Sequence, residues 1–132
     1  PALDGSTLAD ALDRLCATVA VPAMFRQAGH PFPLPTDHEV ALLRIAQSAL
    51  TNTVQHADAG SARLDLTYLD DAVTLTVTDD GTGFNPAGAE IGGYGLAAMR
   101  ARAVAVGGAF TVDSAVGAGA TVAVRLPRVG LS

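Results

Sequence analysis

The sequence predicts an α/β (α+β) fold, a two-layer sandwich of a mixed, largely antiparallel sheet with helices on one face. Three observations carry this expectation. Residues 38–57 read as one long amphipathic helix. Two pairs of short alternating segments, 62–69 with 72–79 and 109–115 with 120–127, are each joined by a tight turn, as neighbouring antiparallel strands are. Helical patterns also stand before the first pair and between the two pairs, so the strands share a small number of helices.

Taken in order, residues 7–20 carry Leu8, Leu12, Leu15 and Val19 at helical spacing, with Ser6 or Thr7 available as the N-cap. Cys16 lies beside that stripe and reads as a core thiol. Residues 21–27 alternate through Val21, Ala23 and Phe25, consistent with a strand that starts tightly at Val21-Pro22. The run 29–35, Gly-His-Pro-Phe-Pro-Leu-Pro, holds too many prolines for regular structure and reads as a connector.

The long helix follows, with Thr36 or Asp37 as its expected N-cap. Val40, Leu43, Ala46 or Gln47, Leu50, Val54 and Ala57 recur every three or four residues and predict a core-facing stripe. Arg44, Ser48, Asn52, Gln55 and His56 form a second, polar stripe. Such a stripe is in most proteins a solvated face.

Residues 62–69 alternate through Leu64, Leu66 and Tyr68, and Asp70-Asp71 makes the turn. In 72–79, Val73, Leu75 and Val77 share one face and Thr74, Thr76 and Thr78 the other. Asp79 falls in phase with the valines and leucine, so a carboxylate ends the buried side and needs a partner there. A third helix is marked by Leu96, Met99, Ala103 and Val106 and ended by Gly107-Gly108. Strands 109–115 and 120–127 complete the chain around a Val-Gly-Ala-Gly turn, and no internal repeat is visible.

Composition bounds the chemistry. The length of 132 residues suits a single domain with a real core. Pro1 in place of Met predicts a piece of a longer chain, and neither a signal peptide nor an apolar run of membrane-spanning length is seen. One cysteine cannot make an internal disulfide, which fits a reducing, cytoplasmic compartment. The net charge is −5 and every basic residue is arginine, so the basic footprint of a nucleic-acid binder is missing. The absence of lysine also excludes the GxxxxGK[ST] phosphate loop.

Three glycine segments follow the long helix: Asp-Asp-Gly-Thr-Gly (79–83), Gly-Gly-Tyr-Gly-Leu (92–96) and Gly-Ala-Gly-Ala-Thr (117–121). Singly each is an ordinary turn signal. The second mimics a dinucleotide fingerprint but follows a loop instead of a strand, which rules that reading out. It opens a helix, and a helix N-terminus suits phosphate.

Together with the long helix, and in this order, the segments resemble the ATP-binding domain shared by gyrase, Hsp90, MutL and sensor histidine kinases (the Bergerat or GHKL fold). Residues 44–57 resemble its N box, 79–84 its G1 box, 93–103 its G2 box and 117–127 its last box and strand. The short G1-to-G2 loop and the G2 wording are most similar to the NarL/DesK type of two-component sensor kinase, and the resemblance covers essentially the whole chain.

It implies a domain that binds ATP and Mg2+ and donates the γ-phosphoryl to a histidine in a separate dimerisation domain, which then serves a response regulator. Contact with nucleic acid or directly with a membrane is not implied, although the parent protein of such a domain can be membrane-anchored. Asn52 would be the Mg2+ ligand, its amide oxygen suited to a hard cation. His56 would face the same site, and Asp79 would accept the adenine amino group. Gly81 and Gly83 would let backbone approach the base. Gly93, Gly95 and Leu96 would cradle phosphate under a lid of residues 84–94, and Thr121 would hydrogen-bond near Asp79 or the base.

The chain departs from the family pattern at several positions. Ser48 stands where a glutamate normally precedes the asparagine by one helical turn, so no catalytic residue is assigned and hydrolysis by that route lacks its base. Gln55 replaces a common Lys or Arg, with Arg100 or Arg102 as candidates to compensate. Ala101 replaces a glutamate between the G2 arginines. None of His30, His38 or His56 sits on a dimerising helix pair as a phosphoacceptor would. Two alternatives stay open: a degenerate nucleotide-binding or regulatory module, and an anti-sigma-type serine kinase on the same fold.

Overall fold

A computed structural model describes residues 7–56, 60–81, 95–114 and 119–129, except for the side chain of His56. The described elements run α1 (Leu8–Thr18), β1 (Ala23–Gly29), α2 (Thr36–His56), β2 (Ala62–Tyr68), β3 (Ala72–Asp79), α3 (Leu96–Ala105), β4 (Ala109–Ser114) and β5 (Ala120–Pro127). Helix α1 begins at a capping box. The amide of Asp10 donates to Thr7 Oγ1 at 3.0 Å while the amide of Thr7 donates to Asp10 Oδ2 at 3.4 Å.

The strands form one five-stranded sheet in the order β1-β2-β3-β5-β4. β1 pairs parallel to β2, whereas β2–β3, β3–β5 and β4–β5 are antiparallel. The parallel pair follows from α2: a parallel neighbour needs a long crossover, and the 21-residue helix supplies it. The mixed sheet expected from the strand pattern is therefore the one observed.

Period-two alternation sets the inner face. Leu64 pairs with Val77, Leu66 with Leu75, and Val73 with Leu126; all six are buried. Helix α1 packs on β1, α2 lies over β2, β3 and β5, and α3 over β4 and β5. Cys16 is buried among them, as expected of a core thiol. Burial raises its pKa, and the nearby Asp13 charge raises it further.

Helix α2 differs from expectation in two ways. It starts at Thr36, so Thr36 and Asp37 lie in the first turn and the N-cap is the carbonyl of Pro35, which accepts from Glu39 at 3.1 Å and from His38 at 3.0 Å. Its core stripe is also rotated. Leu42, Ile45 and Ala46 are fully buried and Ala41, Ala49, Leu50 and Thr53 nearly so, whereas Val40 and Val54 are exposed and Leu43 is half-buried. Segment 40–50 is apolar at most positions, so several helical phases fit it equally well, and packing on the sheet selects one.

The C-terminus of α3 is closed as the glycine pair predicts. The amide of Gly108 donates to the Ala103 carbonyl at 2.8 Å and that of Gly107 to the Val104 carbonyl at 2.9 Å.

Candidate nucleotide site at the end of strand β3

The rotation of α2 changes the environment of its polar residues. Asn52 lies on the packed side and is only 9% exposed; it is not part of a solvated face. Ser48, one turn earlier, is half-buried, while Arg44 and Gln55 are exposed. The sequence had grouped all four on one polar stripe, and burial divides them. Asn52 and Ser48 turn toward the protein; Arg44 and Gln55 face solvent.

Asp79 ends β3 on the inner face and is half-buried, as the alternation predicts. Both carboxylate oxygens have donors. The Gly81 amide donates to Oδ1 at 2.9 Å, and the Thr53 hydroxyl, from α2, lies 3.3 Å from Oδ2. The carboxylate expected to need partners thus has them, and each oxygen keeps a further lone pair for a ligand.

Asp80, on the other side of the chain, binds away from this point. Its Oδ1 accepts the amides of Gly60 and Ser61, both at 2.9 Å, and its Oδ2 accepts the Ser61 hydroxyl at 2.9 Å. The Ser61 amide and then the Ser61 hydroxyl, each stabilising the charged form, hold the Asp80 carboxyl below its ordinary value. Two adjacent aspartates are therefore divided between two tasks, one anchoring a loop and one presenting an acceptor.

Thr121 is not where the resemblance implied. It pairs with Thr78 on the outer face of the sheet, whereas the residue opposite Asp79 is Ala120. The reason is phase: Ala120, Val122, Val124 and Leu126 are buried and point inward, which turns Thr121 outward. Gly119 does meet the site. Its φ is +74°, and a Cβ built there would stand 2.5 Å from the Asp79 carbonyl oxygen, so only glycine lets β5 start this close to the end of β3.

Gly95 is the N-cap of α3 at φ +70°, with no side-chain cap and no acidic residue in the first turn. Leu96 is buried behind it. That helix start offers backbone donors and favours an anion. Gly83, Gly93, the lid 84–94 and the His56 side chain lie outside the described residues.

A hollow of about 500 Å³ also borders Asp79 and Asp80, lined in part by Met24, Arg26, Arg63 and Thr78. Met24, Arg63 and Thr78 are successive register partners on the outer face of the sheet. The hollow is thus on the opposite side from Asn52 and Thr53 and does not join them to Asp79. Sequence reasoning missed Thr53 and Asp80. The signal for Thr53 was its spacing from Ala46 and Ala49 on the packed stripe; for Asp80, only the doubled aspartate.

Comparisons with known proteins show the family of the chain. Residues 37–130 match the family model described as histidine kinase-, DNA gyrase B-, and HSP90-like ATPase. The chain is 34% identical over 121 residues to the sensor histidine kinase YhcY of Bacillus subtilis, covering 91% of this chain and 32% of that protein. It is 37% identical over 95 residues to the signal transduction histidine-protein kinase/phosphatase UhpB of Salmonella typhimurium, covering 72% and 18%. With the sensor protein VraS of Staphylococcus aureus it shares 34% over 96 residues, 73% of this chain and 28% of that protein. The chain thus spans a third or less of each of these relatives. The histidine kinase domain of the blue-light activated histidine kinase of Erythrobacter litoralis EL346 has the same fold, with a TM-score of 0.66 at 22% identity over 90% of this chain and 57% of that one. The chain belongs to the histidine kinase-, DNA gyrase B-, and HSP90-like ATPase family.

Proposed function

We propose that this chain is a single ATP-binding domain of a longer sensor histidine kinase, which binds Mg·ATP and donates the γ-phosphoryl to a histidine of a separate dimerisation domain. The observation that carries the reading is the Asp79 carboxylate, fixed at both oxygens at the end of the inner sheet face. An ionised carboxylate accepts only, so it selects a base edge that donates, such as the adenine amino group.

The remaining residues fit the same ligand. The uncapped start of α3 at Gly95 and Leu96 would receive phosphate oxygens, with Gly81, Gly83 and Gly93 lending backbone near base and phosphates. The amide oxygen of Asn52 would hold Mg2+ jointly with the phosphates. Bound Mg·ATP would supply the transferable phosphoryl and the charge neutralisation that its transfer needs. The protein's part is to orient the base through Asp79 and the phosphates through α3.

The domain would act in the cytoplasm, passing phosphate through the histidine domain to a response regulator. Among the described residues no helix is long and apolar enough to cross a membrane. A second reading, a degenerate nucleotide-binding module with weak or no transfer, is favoured by Ser48, which brings no carboxylate to the half-buried position one turn before Asn52. Calorimetric titration of the 132-residue chain with a non-hydrolysable Mg·ATP analogue tests the nucleotide reading. Saturable binding that Asp79→Asn abolishes is expected; no binding at millimolar analogue would overturn it. Phosphoryl transfer to a supplied histidine domain then separates the kinase from the module.

A further inference from the structure

The Thr53 hydroxyl has one proton and two acceptors at nearly equal distance. The Ala49 carbonyl oxygen lies at 3.2 Å and Asp79 Oδ2 at 3.3 Å. The carbonyl already serves the helix ladder, as helix carbonyls do, and the carboxylate is charged. A hydrogen bond to a charged acceptor is the stronger of the two, so the proton belongs to Asp79.

The two facing positions of β5 do not compete with Thr53 for this role. Ala120, opposite Asp79 on β5, has no side-chain polar atom, and Thr121 is turned to the other face of the sheet. Thr53 is 1% exposed, so its hydroxyl is withheld from bulk water. With the Gly81 amide on Oδ1 and Thr53 on Oδ2, the carboxylate cannot swing freely about its broad terminal torsion.

We propose that Thr53 is the positioning residue for base recognition: from α2, it fixes the plane of the Asp79 carboxylate and so sets how strongly the site prefers a purine bearing an amino group. This rests on the reading of Asp79 as the acceptor for that amino group. Thr53 acts through Asp79. The preorganised acceptor gains most where the ligand offers a donor, so the effect belongs to one class of nucleotide and not to nucleotides in general.

The test compares affinities of the 132-residue chain for Mg·ATP and for the Mg complex of purine riboside 5′-triphosphate, which lacks the amino group. Wild type is expected to favour ATP. Thr53→Val keeps the shape and should cut that preference about tenfold, the low end for a hydrogen bond to a charged group. Thr53→Ser should restore it. Thr53→Ala reads the same ratio should the valine variant not fold. An unchanged ratio, or an equal loss for both nucleotides, would show that Thr53 only packs, and the proposal would fall while adenine recognition by Asp79 stood. A wild-type chain that binds both triphosphates equally would instead overturn the Asp79 reading, and this one with it.

Discussion

Ser61 and Asp80 are joined by three hydrogen bonds: the Ser61 amide to Oδ1 and its hydroxyl to Oδ2, both at 2.9 Å, and the Asp80 amide to the Ser61 carbonyl at 3.3 Å. They extend the β2–β3 pairing one residue beyond Ala62 and Asp79. Asp79 therefore sits inside a tied strand end and not at a frayed one.

Asp80→Ala should lower the melting temperature at neutral pH and weaken ATP binding through Asp79. The Asp80 carboxyl titrates below its ordinary value of 3.8 because Ser61 favours its charged form. A depressed folded value means that the stabilisation is present above the ordinary value and is lost as pH falls through the folded one. The melting temperatures of wild type and variant should thus converge in acid below about pH 4. A gap that stays constant from pH 7 into acid contradicts the assignment.

The rotated core stripe of α2 has a direct mutational signature. Ile45→Ala removes a fully buried side chain and should cost about 2–5 kcal/mol in urea unfolding. Val40→Ala and Val54→Ala, at 38% and 39% exposure, should each stay within about 1 kcal/mol of wild type. Equal losses at all three positions would mean that the helix presents a different face.

Gly119→Ala combines a left-handed φ of +74° with a Cβ 2.5 Å from the Asp79 carbonyl oxygen. Strain at such a position costs about 1–3 kcal/mol. Because the atom that must yield belongs to Asp79, nucleotide affinity should drop together with stability. A stability loss with unchanged affinity would separate Gly119 from the site.

Ser48→Glu combined with Gln55→Arg introduces the charges that the family resemblance implies beside the asparagine. The half-buried position 48 would bring a carboxylate near the Asn52 end of the site, and the exposed position 55 a cation. Mg·ATP should bind about tenfold more tightly, as one charge-assisted contact allows. Unchanged binding and transfer would show the two departures to be neutral and remove the support for a degenerate module.

Much of the site was legible in the residues. Strand 72–79 alternates so cleanly that the burial of Val73, Leu75 and Val77 and the inward phase of Asp79 follow from period two alone. The same rule applied to Val122, Val124 and Leu126 would have turned Thr121 outward; there the family analogy overrode the local pattern. The cap of α1 and the end of α3 were also local, because each depends on residues within one or two turns.

The sequence by itself determined the class of fold, the strand phases and the order of the family's motifs, since these depend on spacing between near neighbours. Only the tertiary structure decided which face of α2 meets the sheet, because a segment apolar at most positions fits several phases and is settled by packing. That choice buried Asn52, left Val40 and Val54 exposed, and brought Thr53 to Asp79 across 26 residues of chain. A contact of that separation has no local signal. It exists only where a helix and a strand end are packed together.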